Sequence, residues 1–218
     1  MKPFILINFK TYPEASGRKA VELAQKIASV KTKKYQLAIA PPLLELEHVC
    51  KTVKIPVFAQ HVDPSGSGAH TGEITAKDVK QLGATGTLLN HSERKLSFAV
   101  LKKTVEECQK NKLTVIVCAG TLMEARNIAA LRPQYLAYEP PALIGGKVSV
   151  TAANPEILRK AVQLVKCISP GTKVLCGAGV HSREDVLSAL QLGMQGVLLS
   201  HAVTKAKEPK RFLERLVR

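Results

Sequence analysis

Short apolar runs alternate eight times with longer amphipathic ones, and this predicts an α/β protein closed into a single (β/α)8 barrel spanning residues 1–218 as one domain. The apolar runs are mostly uninterrupted instead of alternating, the pattern of parallel strands buried on both faces. The repeating strand–helix units are about 27 residues each, close to the size of a βαβ unit, and eight of them favour a closed barrel over an open doubly wound sheet. No GxGxxG follows the first run, which removes the main sign of a dinucleotide-binding sheet. No Pro/Gly/Ser-rich linker or shift in composition divides the chain.

Phe4–Ile7 is the first strand, and Ser16–Ser29 the helix after it. Val21, Ala24 and Ala28 recur in that helix at helical spacing, with Leu23 and Ile27 widening the face. Tyr35–Ala40 is the second strand, ended by Pro41-Pro42, with a short helix near Leu43–Cys50. Val57–Gln60 is the third, followed by a polar loop from Val62 to Glu73 that carries Gly66, Gly68 and Gly72. A helix near Ala76–Leu82 precedes strand four, Gly86–Leu89. Helix Phe98–Lys110 leads to strand Thr114–Cys118, and helix Met123–Leu131 to strand Tyr135–Tyr138. Asn154-Pro155 reads as an N-cap followed by proline at the first helical position. The helix it starts carries Ile157, Ala161, Leu164 and Ile168 on one face. Strand Lys173–Cys176, helix Glu184–Leu192, strand Val197–Leu199 and helix Pro209–Val217 complete the series.

Bulk properties narrow the function classes. With 45% hydrophobic and 22% charged residues the chain is of ordinary globular composition. Its longest apolar stretch, Leu113–Ala119, is too short to span a bilayer, and Asn8 and Lys10 interrupt the N-terminal run too early for a signal peptide. A soluble, cytoplasmic protein with no membrane contact is expected. The five cysteines show no CxxC spacing and the six histidines no i,i+4 pair, so neither a disulfide framework nor a metal site is expected. Cys118 and Cys176, inside apolar runs, read as small buried hydrophobes. The formal charge of +15 is the unusual property. It fits nucleic-acid binding, steering of an anionic substrate, or a solvated surface. The lysines are dispersed and aromatics are only 4% of residues, which leaves few stacking platforms, so nucleic acid is not the expected partner.

In a barrel of this kind the residues just past each strand meet on one face. They include Asn8 and Lys10 after the first strand, Asn90-His91-Ser92-Glu93-Arg94 after the fourth and Glu139 after the sixth. Gly177-Ala178-Gly179 follows the seventh and Ser200-His201-Ala202 the eighth. Glu139 runs straight into Pro140-Pro141-Ala142-Leu143-Ile144-Gly145-Gly146, a segment shaped like a lid. A carboxylate at a strand end can abstract a weakly acidic proton beside a carbonyl. His91, read as opening a helix, would have its imidazolium form disfavoured by the helix dipole and serve as a neutral donor. Lys10 would stabilise a developing enediolate, and the turns after strands seven and eight could present backbone N–H groups to a phosphate. Taken singly, each residue also has an ordinary reading as a solvated lysine, a helix cap, a turn glycine or a solvated acid. Their placement at the same ends of the strands favours chemistry. His61 reads as structural.

The segments Asn8-Phe9-Lys10-Thr11, Asn90-His91-Ser92-Glu93-Arg94, Tyr138-Glu139-Pro140-Pro141 with Leu143-Ile144-Gly145, and Leu175-Cys176-Gly177-Ala178-Gly179 resemble the triosephosphate isomerase family over essentially the whole chain. The short length and Ala59-Gln60-His61-Val62-Asp63 resemble its archaeal branch. The resemblance implies a TIM barrel that interconverts dihydroxyacetone phosphate and D-glyceraldehyde 3-phosphate in glycolysis and gluconeogenesis, with no cofactor and no metal. The roles of base, electrophile and closing lid are the family's established ones. By that resemblance Glu139 is the base and His91 the electrophile, with Asn8, Phe9 and Lys10 on the substrate and Glu93 supporting Lys10. Ile144, Gly145, Gly179, Ser200 and His201 hold the phosphate. Thr71-Gly72-Glu73 matches a family loop that reaches into a neighbouring subunit, which implies a homo-oligomer, dimer or tetramer.

The chain departs from archaeal relatives at Ser200-His201-Ala202, where Ala-Ser-Gly is usual, and at Ala142, where many carry an acid. Either His201 points away while the backbone binds phosphate, which is the expectation, or it narrows the pocket and adds a pH-dependent contact. Two further functions stay open at this stage. One is another phosphate-handling barrel, which would share the last two turns without requiring Lys10, His91 and Glu139. The other is a catalytically weak homologue that binds through its basic surface.

Overall fold

The protein is described by a computed structural model covering residues 2–140 and 154–218. Its eight strands are β1 (Phe4–Asn8), β2 (Gln36–Ala40), β3 (Phe58–Ala59), β4 (Gly86–Leu89), β5 (Thr114–Ala119), β6 (Tyr135–Tyr138), β7 (Lys173–Cys176) and β8 (Gly196–Leu199). All pair in parallel, in the order β2-β1-β8-β7-β6-β5-β4-β3. The two ends of that series meet at a single parallel bridge, Ile39 to Val57, where Ile39 N–H donates to the Pro56 carbonyl at 3.1 Å. The sheet is therefore a barrel with one thin seam.

Among the described residues the α-helices are α1 (Arg18–Ala28), α2 (Leu46–Thr52), α3 (Ala76–Gln81), α4 (Phe98–Lys110), α5 (Leu122–Ala130), α6 (Pro155–Ile168), α7 (Arg183–Gln191), α8 (His201–Thr204) and α9 (Pro209–Leu216). Several begin where the sequence carries an oxygen-bearing cap. Thr75, Ser97 and Thr121 accept the N–H of Asp78, Val100 and Glu124. Ser182 and Asp185 form a reciprocal capping box, and Asn154 caps α6 ahead of Pro155.

Because strand side chains alternate, the barrel builds two cores. Phe4, Leu6, Ala38, Ala40, Phe58, Leu88, Ile116, Cys118, Ala137, Leu175 and Leu198 fill the interior. Their sequence neighbours, such as Ile5, Ile7, Val115, Val117 and Leu136, pack outward against the helices. The interior is plugged at its N-terminal end by aromatic rings: Phe4 stacks on Tyr135 with centroids 4.9 Å apart and meets Phe58 edge-on at 5.9 Å. A Cβ on Gly86 would meet the Phe58 ring at 2.5 Å, so glycine at the start of β4 makes room for the plug.

Three details differ from the sequence-based expectation. The third strand is only Phe58–Ala59, and the Gln60 side chain beyond it donates to the carbonyls of Lys10 and of Ala40 at the end of β2. On α6 the buried face is Leu158, Ala161, Val162 and Val165, while Ile157, Leu164 and Ile168 flank it half-buried. Two adjacent apolar stripes compete on this helix, and only the docking direction selects between them. The short helix α8, starting directly after Ser200, was not anticipated; at four residues it is too brief to leave a periodic signal.

Candidate active site

At the C-terminal ends of the strands a cleft of about 70 Å³, open to solvent, is lined by Asn8, Lys10, His91, Glu139, Gly177, Gly179, Ser200 and His201 among others. These are the expected site residues, gathered from five strands. Ile144 and Gly145, also expected there, lie outside the described residues. Phe9 is the exception: its side chain is fully buried between barrel and helices, and only its neighbours Asn8 and Lys10 reach the cleft. In a run that leaves the pleat, adjacent residues point oppositely, so the middle residue of Asn8-Phe9-Lys10 serves the core.

Lys10 has a positive φ of 51°, rare for a residue with a Cβ. Local bonds hold it there. Its N–H donates to Asn8 Oδ1 at 2.9 Å, and its carbonyl accepts from Gln60 Nε2 at 2.9 Å. The side chain then projects to the cleft, with Nζ 2.6 Å from Glu93 Oε1. Asn90, with φ 56°, is fixed likewise: Nδ2 donates to the Cys118 carbonyl and Oδ1 accepts from Leu96 N–H, both at 2.9 Å. Strain of this kind concentrates where geometry must be imposed on a site.

His91 does not open a helix. After Asn90 the chain makes a turn, closed by Arg94 N–H on the His91 carbonyl at 2.8 Å, and α4 begins only at Phe98 behind its Ser97 cap. The expected helix-dipole effect is therefore replaced by two others: burial first, and then the charge of Lys10, lower the basicity of His91. The tautomer is set by the backbone. Glu93 N–H donates to His91 Nδ1 at 3.2 Å, so the ring proton sits on Nε2, which faces Glu139 Oε2 at 3.9 Å. Burial and Lys10, not the helix dipole expected from sequence, are what favour the neutral imidazole.

Glu139 is 4% exposed, and its Oε2 has no hydrogen-bond partner among the described residues. Burial raises its pKa to about 7, opposed by a hydrogen bond from the Cys118 thiol and by the charges of Lys10 and Lys95. A Cβ at Gly177 would collide with the Glu139 side chain, so glycine after β7 is what lets the carboxyl lie there.

Sequence reasoning missed several contributors. Cys118, read as a buried hydrophobe, is that, and its thiol also acts to lower the pKa of Glu139. Gln60 ties the Lys10 and Ala40 carbonyls together at 2.9 and 3.0 Å. Lys95 is held by both oxygens of Glu124 at 3.0–3.1 Å. Only Lys95, one residue beyond the Asn90–Arg94 motif, carried a usable signal. His61 stays outside the cleft lining and bonds Asp63 at 2.9 Å.

At the other end of the cleft Gly179 adopts φ 62°, and Ser200 precedes α8 with its Oγ buried and unpaired among the described residues. His201 does not turn away as expected. It lines the cleft, its ring centroid 5.3 Å from that of His181, which lines the cleft as well. The α8 helix decides this, since it starts at His201 and fixes the side chain's departure from the strand.

A buried, near-neutral carboxyl facing a neutral imidazole N–H beside a lysine defines a barrel enzyme equipped to move a proton next to a polarised oxygen. The family model for triosephosphate isomerase matches residues 3–217. The chain is 42% identical to the triosephosphate isomerase of Methanothermus fervidus over 99% of its own length and 98% of the relative's. The corresponding figures are 42%, 99% and 98% for that of Methanosarcina acetivorans, and 40%, 98% and 98% for that of Methanocaldococcus jannaschii. The chain belongs to the triosephosphate isomerase family.

Proposed function

We propose that this protein interconverts dihydroxyacetone phosphate and D-glyceraldehyde 3-phosphate, as a cytoplasmic enzyme of glycolysis and gluconeogenesis. The observation that carries the proposal is Glu139, buried, poised near neutrality and facing His91 Nε2 at 3.9 Å. In its ionised form Glu139 takes a proton from the carbon beside the substrate carbonyl. His91 donates its Nε2–H to the carbonyl oxygen, and Lys10 offsets the negative charge of the enediolate. Proton exchange between the two oxygens, followed by return of the proton from Glu139 to the neighbouring carbon, completes the isomerisation with no net change in atoms or electrons. The chemistry asks nothing of a metal or cofactor. Glu93 restrains Lys10, and the turns at Gly179 and Ser200–Ala202 supply the phosphate end.

The experiment is a coupled assay of D-glyceraldehyde 3-phosphate conversion beside a Glu139→Gln control. Turnover that disappears in the control supports the assignment; absence of turnover in folded wild-type protein overturns it. The same proposal includes a homo-oligomer. Residues 66–73 are exposed throughout in the single chain, as a loop that enters a neighbour must be before assembly. Sedimentation equilibrium is expected to return a multiple of 23.6 kDa, and a monomeric mass would remove this element.

A further inference from the structure

The end of the cleft away from Glu139 holds a pair of side chains that the isomerisation chemistry above does not use. His181, after β7, and His201, at the start of α8, line the same cleft with ring centroids 5.3 Å apart and planes inclined at 57°. His181 is one of the groups that disfavour the imidazolium form of the neighbouring His201. The charged groups around them are mostly positive. Lys10 approaches from the loop after β1. Lys205 comes from the end of α8 and lies over the Tyr12 ring at 4.3 Å. Arg183 sits at the start of α7. On the negative side, Asp185 of α7 accepts the backbone N–H groups of His181 and Ser182 at 2.9 and 3.0 Å, with Glu184 beside it. His91 and Glu139 complete the cleft from β4 and β6. Ser200 Oγ, buried in the wall of the same cleft and without a hydrogen-bond partner among the described residues, is a further polar group with room for an oxyanion.

We propose that His181 and His201 form a proton-gated clasp for a tetrahedral oxydianion, the phosphoryl group of the substrate, with a proton taken from solvent onto His201 as the dianion binds. The inference rests on reading the cleft as a site for a phosphorylated substrate, and it gives the anion end a pH dependence of its own. The direction follows from linkage. Burial, then His181, Lys10 and Lys205, hold the basicity of His201 below the usual imidazole value. A bound dianion raises it. Affinity is therefore greatest below the empty-state value and falls as pH rises through the bound-state value.

The probe is inorganic sulfate, which stays dianionic throughout the useful range and so removes the titration of the substrate's own phosphate. Calorimetric titration at about pH 5.5 and about pH 8, in buffers of different ionisation enthalpy, reads affinity and proton uptake together. A bound-state shift of about one unit corresponds to about tenfold tighter sulfate binding at the lower pH. That dependence is expected to fall below about twofold in the His181→Gln/His201→Gln double variant and to persist in Glu139→Gln, which excludes the carboxyl as its source. Should the double variant fold poorly, the wild-type His201 ring resonance provides the test by NMR, since sulfate is expected to move its titration to higher pH. Sulfate affinity that is flat with pH, loss of the dependence only in Glu139→Gln, a dependence that survives in the double variant, or an unmoved His201 titration overturns the clasp. The readout needs no turnover. A chain that binds sulfate in this way but does not isomerise overturns the activity and leaves the clasp standing, and an active isomerase with pH-independent sulfate binding does the reverse.

Discussion

At the N-terminal end of the barrel the interior is closed by Phe4, Phe58 and Tyr135, stacked and edge-on within 4.9–5.9 Å, whereas at the C-terminal end the inward positions pass to Asn8, Asn90, Glu139 and Gly177. Both ends are well buried, yet burial does opposite work in each. At the aromatic end it removes apolar surface from water and stabilises the fold. At the polar end it withholds solvent from a carboxyl, pushing its pKa up to about 7, and so holds a group that weakens the folded state once ionised. Stability and reactivity in this molecule are the same physical effect applied to different side chains.

The contrast is broken most severely by Glu139→Gln. The isomerase activity is expected to fall by about 10⁴-fold, at the upper end of what one positioned proton-transfer group supplies. The same variant should be more stable than wild type at alkaline pH. The folded-state pKa of Glu139 lies above its unfolded value of 4.5, so its stabilising contribution is complete below 4.5 and lost as pH rises through about 7. The shift corresponds to ~3 kcal/mol, to be seen as a gain in unfolding free energy of the variant over wild type at about pH 8 relative to about pH 4 in chemical denaturation. Phe58→Ala tests the other end: it should cost ~3 kcal/mol of stability, the low side for an aromatic truncation, while kcat/KM of the folded fraction stays within about twofold. Gly177→Ala lies between the two regions. Its new Cβ collides with the buried Glu139 side chain, and the displacement is expected to cost about 10²-fold in kcat together with ~1–3 kcal/mol of stability from overpacking. The mildest change is Cys118→Ala. The thiol hydrogen bond lowers the Glu139 pKa, so its removal should move the acid limb of the pH–rate profile to higher pH and reduce the rate at neutrality about threefold.

Much of the polar end was legible in the chain. Asn8, Lys10, His91, Glu139, Gly179, Ser200 and His201 all sit directly after strands whose apolar runs announce themselves, and parallel strands of a barrel bring such positions to one rim. Phe9 was misplaced because a run of three adjacent residues can present only alternate side chains to the cleft. His91 reads in the sequence as opening a helix, whereas the helix begins seven residues later, at Phe98. The setting of its tautomer by the Glu93 backbone is a two-residue contact that leaves no pattern. The direction of His201 depended on the four-residue helix α8, which no periodicity marks.

By itself, then, the order of residues determined the alternation of strands and helices, the caps that start the helices, and the set of polar groups delivered to the strand ends. These are local consequences of side-chain period and hydrogen-bonding capacity. The tertiary structure decided what no local rule contains: which stripe of α6 faces inward, that Cys118 touches Glu139 from a neighbouring strand, that Gly177 makes space for that carboxyl, and that His181 and His201 meet across two loops. Each of these joins residues distant in the chain, and both the loss of solvent that tunes Glu139 and the proximity that couples the two imidazoles exist only once the barrel has brought them together.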